Sequence, residues 1–230
     1  MKKNLWLLAL ALAPVAALAH TPGGVLRLGV SQMHVGMGGA SANMPGLQIG
    51  VEGMYHGVGI RSGVSFARGA GASLEVLNVR ATANPRAALS PYASLGMIDL
   101  SSLSGATSTV TAYQVNSGGL ITPTTTTQAL PLRGVVMGDA FVGLRAEAAL
   151  NPRWSLAAHA GIGAGIGGST TGLPSASSGA NPFATDLGVA IRYRVTPHAV
   201  AALTYSRLAV PVRGATFKSE GVALTVVRTF

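Results

Sequence analysis

Few residues of this chain could do chemistry, and their spacing matches no catalytic or metal site. The chain has no cysteine, which excludes disulfides and thiolate metal ligands. Ser155 and His159 share one face of a predicted strand, but four residues of strand separate them by about 13 Å, too far for a hydrogen bond. No pair of histidines has metal-ligand spacing on a strand. We therefore predict no metal, no catalytic residues and no enzyme activity.

A glycine-rich segment, 163–168, matches the G-x-G-x-x-G pattern of dinucleotide-binding sites. In those sites a helix follows the glycines, and its N-terminus binds the pyrophosphate. The residues that follow here include Gly172 and Pro174 and do not favour a helix. We interpret the segment as a strand end that enters a loop, and we predict no cofactor.

Residues 1–19 have the features of a secretory signal peptide. Lys2 and Lys3 precede an apolar stretch, and Ala17-Leu18-Ala19 supplies a small-x-small cleavage site. No lipobox cysteine precedes that site, so no lipid anchor is expected. The remaining domain is expected to span residues 20–230.

The composition is unusually apolar for a chain without a hydrophobic helix. Charged residues make up 10%, against about 25% in ordinary soluble domains, and the mean hydropathy is +0.43. After residue 19 no uncharged apolar run reaches the length of about 18 residues that predicts a membrane-spanning helix. Apolar residues distributed over alternating strands are typical of a closed transmembrane β-barrel, in which every backbone group is paired.

Ten segments show the alternation of a strand, and their connections support an all-β, antiparallel up-and-down barrel. Short links with proline (Asn84-Pro85-Arg86, Asn151-Pro152-Arg153 and Thr196-Pro197-His198) and the link at 55–57 alternate with links of another kind, mostly long, at 34–44, 68–70, 99–133 and 165–182. This alternation predicts an even number of strands with both termini in the periplasm. The fourth segment is irregular, so eight strands are the alternative to ten. The segments cover roughly residues 24–33, 45–55, 57–68, 71–81, 89–98, 134–149, 154–164, 183–195, 199–209 and 218–230.

Placing the apolar face of each strand against lipid puts a balanced set of charges inside the barrel. A narrow lumen holds too little water to solvate single ions, so opposite charges should pair there. The other basic residues, among them Arg68, Arg80 and Arg207, are expected at strand ends and loops, where they would contact anionic lipid phosphates. They form no basic cluster, so we predict no nucleic acid partner. The predicted lumen charge network consists of Arg27, Glu52, Arg61, Glu75, Asp139, Arg145, Glu147, Asp186, Arg192 and Arg194.

The last predicted strand carries Val222, Leu224, Val226 and Phe230 on one face. It resembles the final strand of bacterial outer-membrane β-barrel proteins, which ends in Phe and serves as the signal for insertion by the assembly machinery. Arg228 departs from that signal, which usually has an apolar residue third from the end. The proline-basic turns resemble those of small barrels of the OmpA/OmpX type, and the resemblance covers most of the chain after residue 19. It implies a protein of the bacterial outer membrane.

These observations predict a small non-enzymatic outer-membrane barrel with a structural or narrow-pore role and extracellular loops available for binding. One alternative is a barrel enzyme that acts on lipid A or peptides. The acidic pairs of an omptin-like protease are missing, however, because Asp99, Asp139 and Asp186 are the only aspartates. The other alternative is a soluble secreted β-sandwich adhesin. The threonine-rich segment from Thr107 to Gln128 is interpreted as a flexible loop without a fixed fold. Nothing in the sequence specifies an oligomeric state.

Overall fold

The computed structural model describes residues 24–37, 40–69, 72–103, 107–115, 121–129, 132–171, 183–212 and 215–229. The signal-peptide prediction and Phe230 lie outside these residues. Among the described residues no helix is long and apolar enough to cross a membrane. The strands are β1 Val25–Met37, β2 Ala40–Tyr55, β3 Val58–Gly69, β4 Ala72–Ala83, β5 Leu89–Leu103, β6 Thr107–Val115, β7 Ile121–Ala129, β8 Leu132–Ala149, β9 Trp154–Thr171, β10 Ala184–Thr196, β11 Ala199–Val212 and β12 Ala215–Thr229.

Ten of these strands form a closed antiparallel barrel in the order β1-β12-β11-β10-β9-β8-β5-β4-β3-β2, and β6 and β7 form a separate hairpin. The first and last strands close the barrel, from Val25 opposite Thr229 to Gly36 opposite Lys218. Closure leaves no unpaired sheet edge, as a bilayer requires. The prediction of a closed antiparallel barrel is confirmed, with ten strands rather than the alternative of eight.

Four tight connections lie at one end of the barrel, which we call the turn end. His56 and Gly57 join β2 to β3 with positive φ values of 46° and 81°, as a two-residue hairpin turn requires. In the turn between β8 and β9, the side chain of Asn151 accepts hydrogen bonds from the backbone N–H groups of Arg153 and Trp154 at 2.9 and 2.8 Å. The proline turns predicted from the sequence are therefore present, and the described termini lie at this end too.

At the opposite end, which we call the loop end, the strands run further than the sequence indicated. β1 continues to Met37 and β2 begins at Ala40, so most of the predicted link 34–44 is strand. β9 continues to Thr171 in the same way. The interpretation of 107–128 as a loop without a fixed fold was wrong, since β6 and β7 pair in register from Thr107 opposite Ala129 to Val115 opposite Ile121.

The outer wall carries an apolar belt that covers the turn-end part and the middle of the barrel. Its side chains are large and well exposed, with Leu95 and Val142 accessible over 61% and 62% of their surfaces. A continuous exposed surface of this kind is stable against lipid and not against water. Other members of the belt are Leu28, Val30, Leu47, Ile49, Val79, Leu144, Leu156, Ile162, Leu187, Val189, Ile191, Leu203, Val222, Leu224 and Val226.

Toward the loop end the outer wall becomes polar, and the inner wall becomes apolar. On the outside His34 Nδ1 lies 2.8 Å from Asn43 Oδ1, and the hydroxyls of Ser73 and Ser101 are hydrogen-bonded to each other. On the inside at the same level lies a buried hydrophobic cluster, which we call the apolar plug. Its side chains include Val35, Met37, Met44, Leu74, Ile98, Leu100, Leu103, Val135, Met137, Phe141, Val210 and Phe217. This part of the barrel is therefore built like a water-soluble one, with its core inside.

Two leucines of β5 test the plug, because they are the same residue in opposite environments. Leu100 is fully buried in the plug, whereas Leu95 lies in the belt. We expect Leu100→Ala to lower the free energy of unfolding by about 2–5 kcal/mol, because a cavity remains. Leu95→Ala should lower it by less than about 1.5 kcal/mol, because lipid chains close the gap. Urea unfolding in lipid vesicles, followed by tryptophan fluorescence, measures both. Equal losses would contradict the assignment of the plug.

Candidate functional site

The charged lumen lies between the apolar plug and the turn end. Eight of the ten predicted lumen charges occupy it: Arg27, Glu52, Arg61, Asp139, Arg145, Glu147, Asp186 and Arg192. Arg194 follows Arg192 by alternation and is exposed at the turn end of β10. Glu75 is the exception, because it lies on the outer face of β4.

Two groups of ion pairs occupy the turn-end part of the lumen. Arg27 donates to Glu52 at 2.6 Å, which links β1 to β2. Glu147 accepts from Arg192 at 2.8 Å and also from its neighbour Arg145, and Arg145 donates to the backbone carbonyl of Pro85 at 3.1 Å. These bonds join β8 to β10 and to the turn that follows β4.

Asp186 is the centre of a third group, deeper in the lumen. Its carboxylate accepts from Arg80 at 2.6 Å and from the hydroxyl of Tyr92 at 3.1 Å, and its other oxygen lies 3.2 Å from His159 Nε2. The Arg80 guanidinium also stacks 4.2 Å above the Tyr92 ring. Four strands thereby converge on one carboxylate, whose charge is satisfied by hydrogen bonds as well as by Arg80.

Glu75 and Arg80 exchange the places that the sequence predicted for them. The pairing of β4 with β5 runs without a shift from Leu74 to Thr82, so Glu75 lies on the face opposite to Leu74 and Arg80. The prediction that Glu75 faces the lumen and Arg80 the rim was wrong. Its cause was the assumption that Leu74 and Val76 face lipid, whereas both face the apolar plug. The better signal for the lumen face is the polar row of Asn78, Arg80 and Thr82, which alternate along β4.

Glycines make room for the largest lumen side chains. A Cβ atom added to Gly161 would collide with the Tyr92 hydroxyl, and one added to Gly188 would collide with the His159 ring. Gly188 lies directly across from His159 on the neighbouring strand, and Gly161 lies two strands away from Tyr92. The side chains of Tyr92 and His159 therefore lie against the barrel wall at these glycines.

The space left between these groups is a cavity of about 290 Å³. It extends from Pro85 at the turn end to Met33 and Phe141 at the plug. Within the described residues no group of three or more His, Asp or Glu side chains is arranged to hold a metal ion. The chemistry that the lumen offers is recognition by charge, with guanidinium groups as the main donors.

Three members of the predicted assembly signal can be placed. Val222, Leu224 and Val226 all point outward from β12 and are exposed in the belt. Ala223 and Thr225 are buried on the inner face. Whether this strand acts as an insertion signal stays a prediction.

Comparisons with known proteins find structural likenesses at low sequence identity. The outer membrane protease OmpT from Escherichia coli matches with a TM-score of 0.54 at 9% identity over 90% of this chain and 97% of that one. The translocator domain of the autotransporter NalP from Neisseria meningitidis matches with a TM-score of 0.43 at 13% identity over 99% and 96%, and Neisserial surface protein A with 0.40 at 12% over 90% and 97%. No family model and no curated protein matches the chain. The closed fold and the apolar belt together make this a transmembrane β-barrel. At such low identity the likeness to OmpT concerns the fold alone.

Replacing Asp186 by asparagine keeps the shape of the barrel's central acceptor and removes its charge. We expect Asp186→Asn to lower the free energy of unfolding by about 3 kcal/mol, because Arg80 is left without a counter-ion. Asp99→Asn, on the outer face of β5, is the matched control and should cost less than about 1 kcal/mol. Chemical unfolding in vesicles compares the two variants. The double variant Arg80→Gln/Asp186→Asn should lose less than the sum of its single changes, and strict additivity would contradict the pairing.

Proposed function

We propose that this protein is a non-enzymatic barrel of the bacterial outer membrane, closed toward the outside, that carries the β6–β7 hairpin on the extracellular side. Outer-membrane barrels have short periplasmic turns and longer extracellular connections. By that rule the turn end faces the periplasm and the loop end faces the outside. The role is structural, with the hairpin and its neighbouring loops available for contact with other molecules.

The observation that carries the proposal is the apolar plug. Side chains from seven or more strands fill the lumen at the loop end, and Val35, Leu100 and Phe217 among them have no accessible surface. An open pore needs a continuous polar path, whereas a buried hydrophobic cluster excludes both ions and water. Barrels of about this size are generally filled by side chains, and wide channels need more strands. These facts favour a closed scaffold over the narrow pore.

The proposal that the protein is not an enzyme is supported by the surroundings of His159. Within the described residues its one polar partner is Asp186, which is already engaged by Arg80 and Tyr92. A histidine that activates a nucleophile needs a hydroxyl or thiol within hydrogen-bond reach. The His159 ring instead packs roughly perpendicular to the Tyr92 ring inside the lumen, with centroids 6.0 Å apart.

The partners that we propose are outer-membrane lipid and the assembly machinery. Lipid is supported by the belt. The machinery is supported by the outward apolar row Val222, Leu224 and Val226 on the strand that closes the barrel.

Electrical recording tests whether the plug closes the lumen. We expect purified wild-type protein in planar lipid bilayers to show no steady ion conductance above background, because the plug blocks the loop end. Insertion is verified on the same sample by heat-modifiable mobility on gels. Steady open events from correctly folded protein would overturn the closed scaffold and favour the narrow pore.

Protease accessibility tests where the hairpin lies. A protease recognition sequence inserted between β6 and β7, within residues 116–120, should be cleaved on intact cells. The same insertion in the β8–β9 turn, within residues 150–153, is the matched control and should be cleaved only after the outer membrane is permeabilised. The reverse pattern would show that the assigned orientation is inverted.

A further inference from the structure

Arginines outnumber carboxylates on the inner face of the barrel. Between the plug and Arg194, the described inner face presents five arginines and four carboxylates: Arg27, Arg61, Arg80, Arg145 and Arg192 against Glu52, Asp139, Glu147 and Asp186. Three of these carboxylates are paired with arginines other than Arg61. The fourth, Asp139, is 3% exposed, lies over Gly96, and pairs with no described cation.

Arg61 is the arginine left over. No described residue accepts a hydrogen bond from its guanidinium, although Glu52 lies directly opposite on β2, because Glu52 is engaged by Arg27. On its other side Arg61 lies directly opposite Arg80 on β4. Like charges at directly opposite positions of two strands repel each other. Arg27 and Arg192 also lie close enough to repel Arg61, and Glu52 lies close enough to attract it.

The wall beside Arg61 is formed partly by glycines. Gly59 and Gly63 flank it on β3, and Gly50 lies opposite Gly63; all three line the cavity. A Cβ atom added to Gly63 would meet nothing closer than a backbone oxygen at 3.4 Å. This differs from Gly161 and Gly188, which are covered by Tyr92 and His159. Gly63 therefore borders open space, whereas Gly59 is covered by the side chain of Pro85, and a Cβ atom on Gly50 would meet the backbone oxygen of Ser62.

We propose that the cavity beside Arg61 is a binding site for a small oxyanion, of the phosphate or carboxylate class. The unpaired guanidinium of Arg61 supplies the main donors, and a planar guanidinium matches the spacing of two oxygens of such a group. The buried Nε–H groups of Arg27 and Arg80 have no acceptor among the described residues. A bound anion also offsets the repulsion between Arg61 and Arg80.

The position of the cavity limits where the anion comes from. Arg61 is exposed to the cavity that it lines, and the apolar plug separates that cavity from the loop end. The β-sheet wall separates it from lipid headgroups. The ligand is therefore a water-soluble solute that enters from the turn end, and the site does not depend on the hairpin's proposed role.

Titration calorimetry with inorganic phosphate tests the site on the full barrel folded in an uncharged detergent. We expect saturable binding to the wild type, and binding at least about tenfold weaker to Arg61→Gln, because donors to a charged ligand are lost. Arg68→Gln, which changes an exposed arginine of the outer face of the same strand, is the matched control and should bind like the wild type. No binding by the wild type, or equal binding by Arg61→Gln, would overturn the proposal.

A second readout separates a ligand-binding arginine from a structural one. In phosphate-free buffer Arg61→Gln should melt at the wild-type temperature or above it, because the repulsion with Arg80 is removed. Added phosphate should raise the melting temperature of the wild type and of Arg68→Gln, but not that of Arg61→Gln, relative to sodium chloride of equal ionic strength. A lower melting temperature of Arg61→Gln without phosphate, together with an undiminished phosphate effect, would make Arg61 a structural residue and refute the site.

Discussion

Neighbouring residues of a barrel strand point to opposite sides of the wall, and along this barrel the surroundings on both sides change together. Near the turn end the outside is lipid and the inside is a hydrated, charged lumen. Near the loop end the outside is polar and the inside is the apolar plug. The backbone has to stay paired through both sections, because an unpaired group in hydrocarbon costs several kcal/mol. One continuous strand thus carries two opposite patterns, and its inner face changes from ionic to apolar partway along.

The free-energy cost of this arrangement is greatest in the lumen, because charges are taken out of bulk water there. A buried ion without a partner is penalised by several kcal/mol, and a pair is tolerated only when hydrogen bonds satisfy its remaining atoms. Asp186 meets that condition through Arg80, Tyr92 and His159. Glu147 meets it through Arg145 and Arg192. The glycines under Tyr92 and His159 are part of the same arrangement, because they leave room for these rings to reach Asp186.

The sequence was informative where one environment lasts for a whole strand, and misleading where it changes. In β10 the outward row Leu187, Val189 and Ile191 stays in lipid, so alternation indicates both the strand and its faces. In β4 the leading apolar residues are Leu74 and Val76, which pack inside. Alternation shows which residues of a strand share a face, but not which face lies in apolar surroundings. The lipid-facing assignment of Leu74 and Val76 therefore also misplaced Arg80, which shares their face. The extensions of β1 and β2 were missed because their outward residues are polar.

The apolar plug and the charged cavity occupy the same lumen, and the residues at their border separate the charged groups from the hydrophobic cluster. Met33 and Phe141 belong to the apolar plug and also line the cavity. They therefore form the apolar end of the cavity. Asp139 lies next to them and is almost fully buried, which withdraws one carboxylate from the arginines below. The excess of positive charge near Arg61 then follows from geometry, since the one lumen acid without a described cation, Asp139, is held at the apolar end of the cavity. An anion that enters from the turn end meets guanidinium groups first and an apolar wall last.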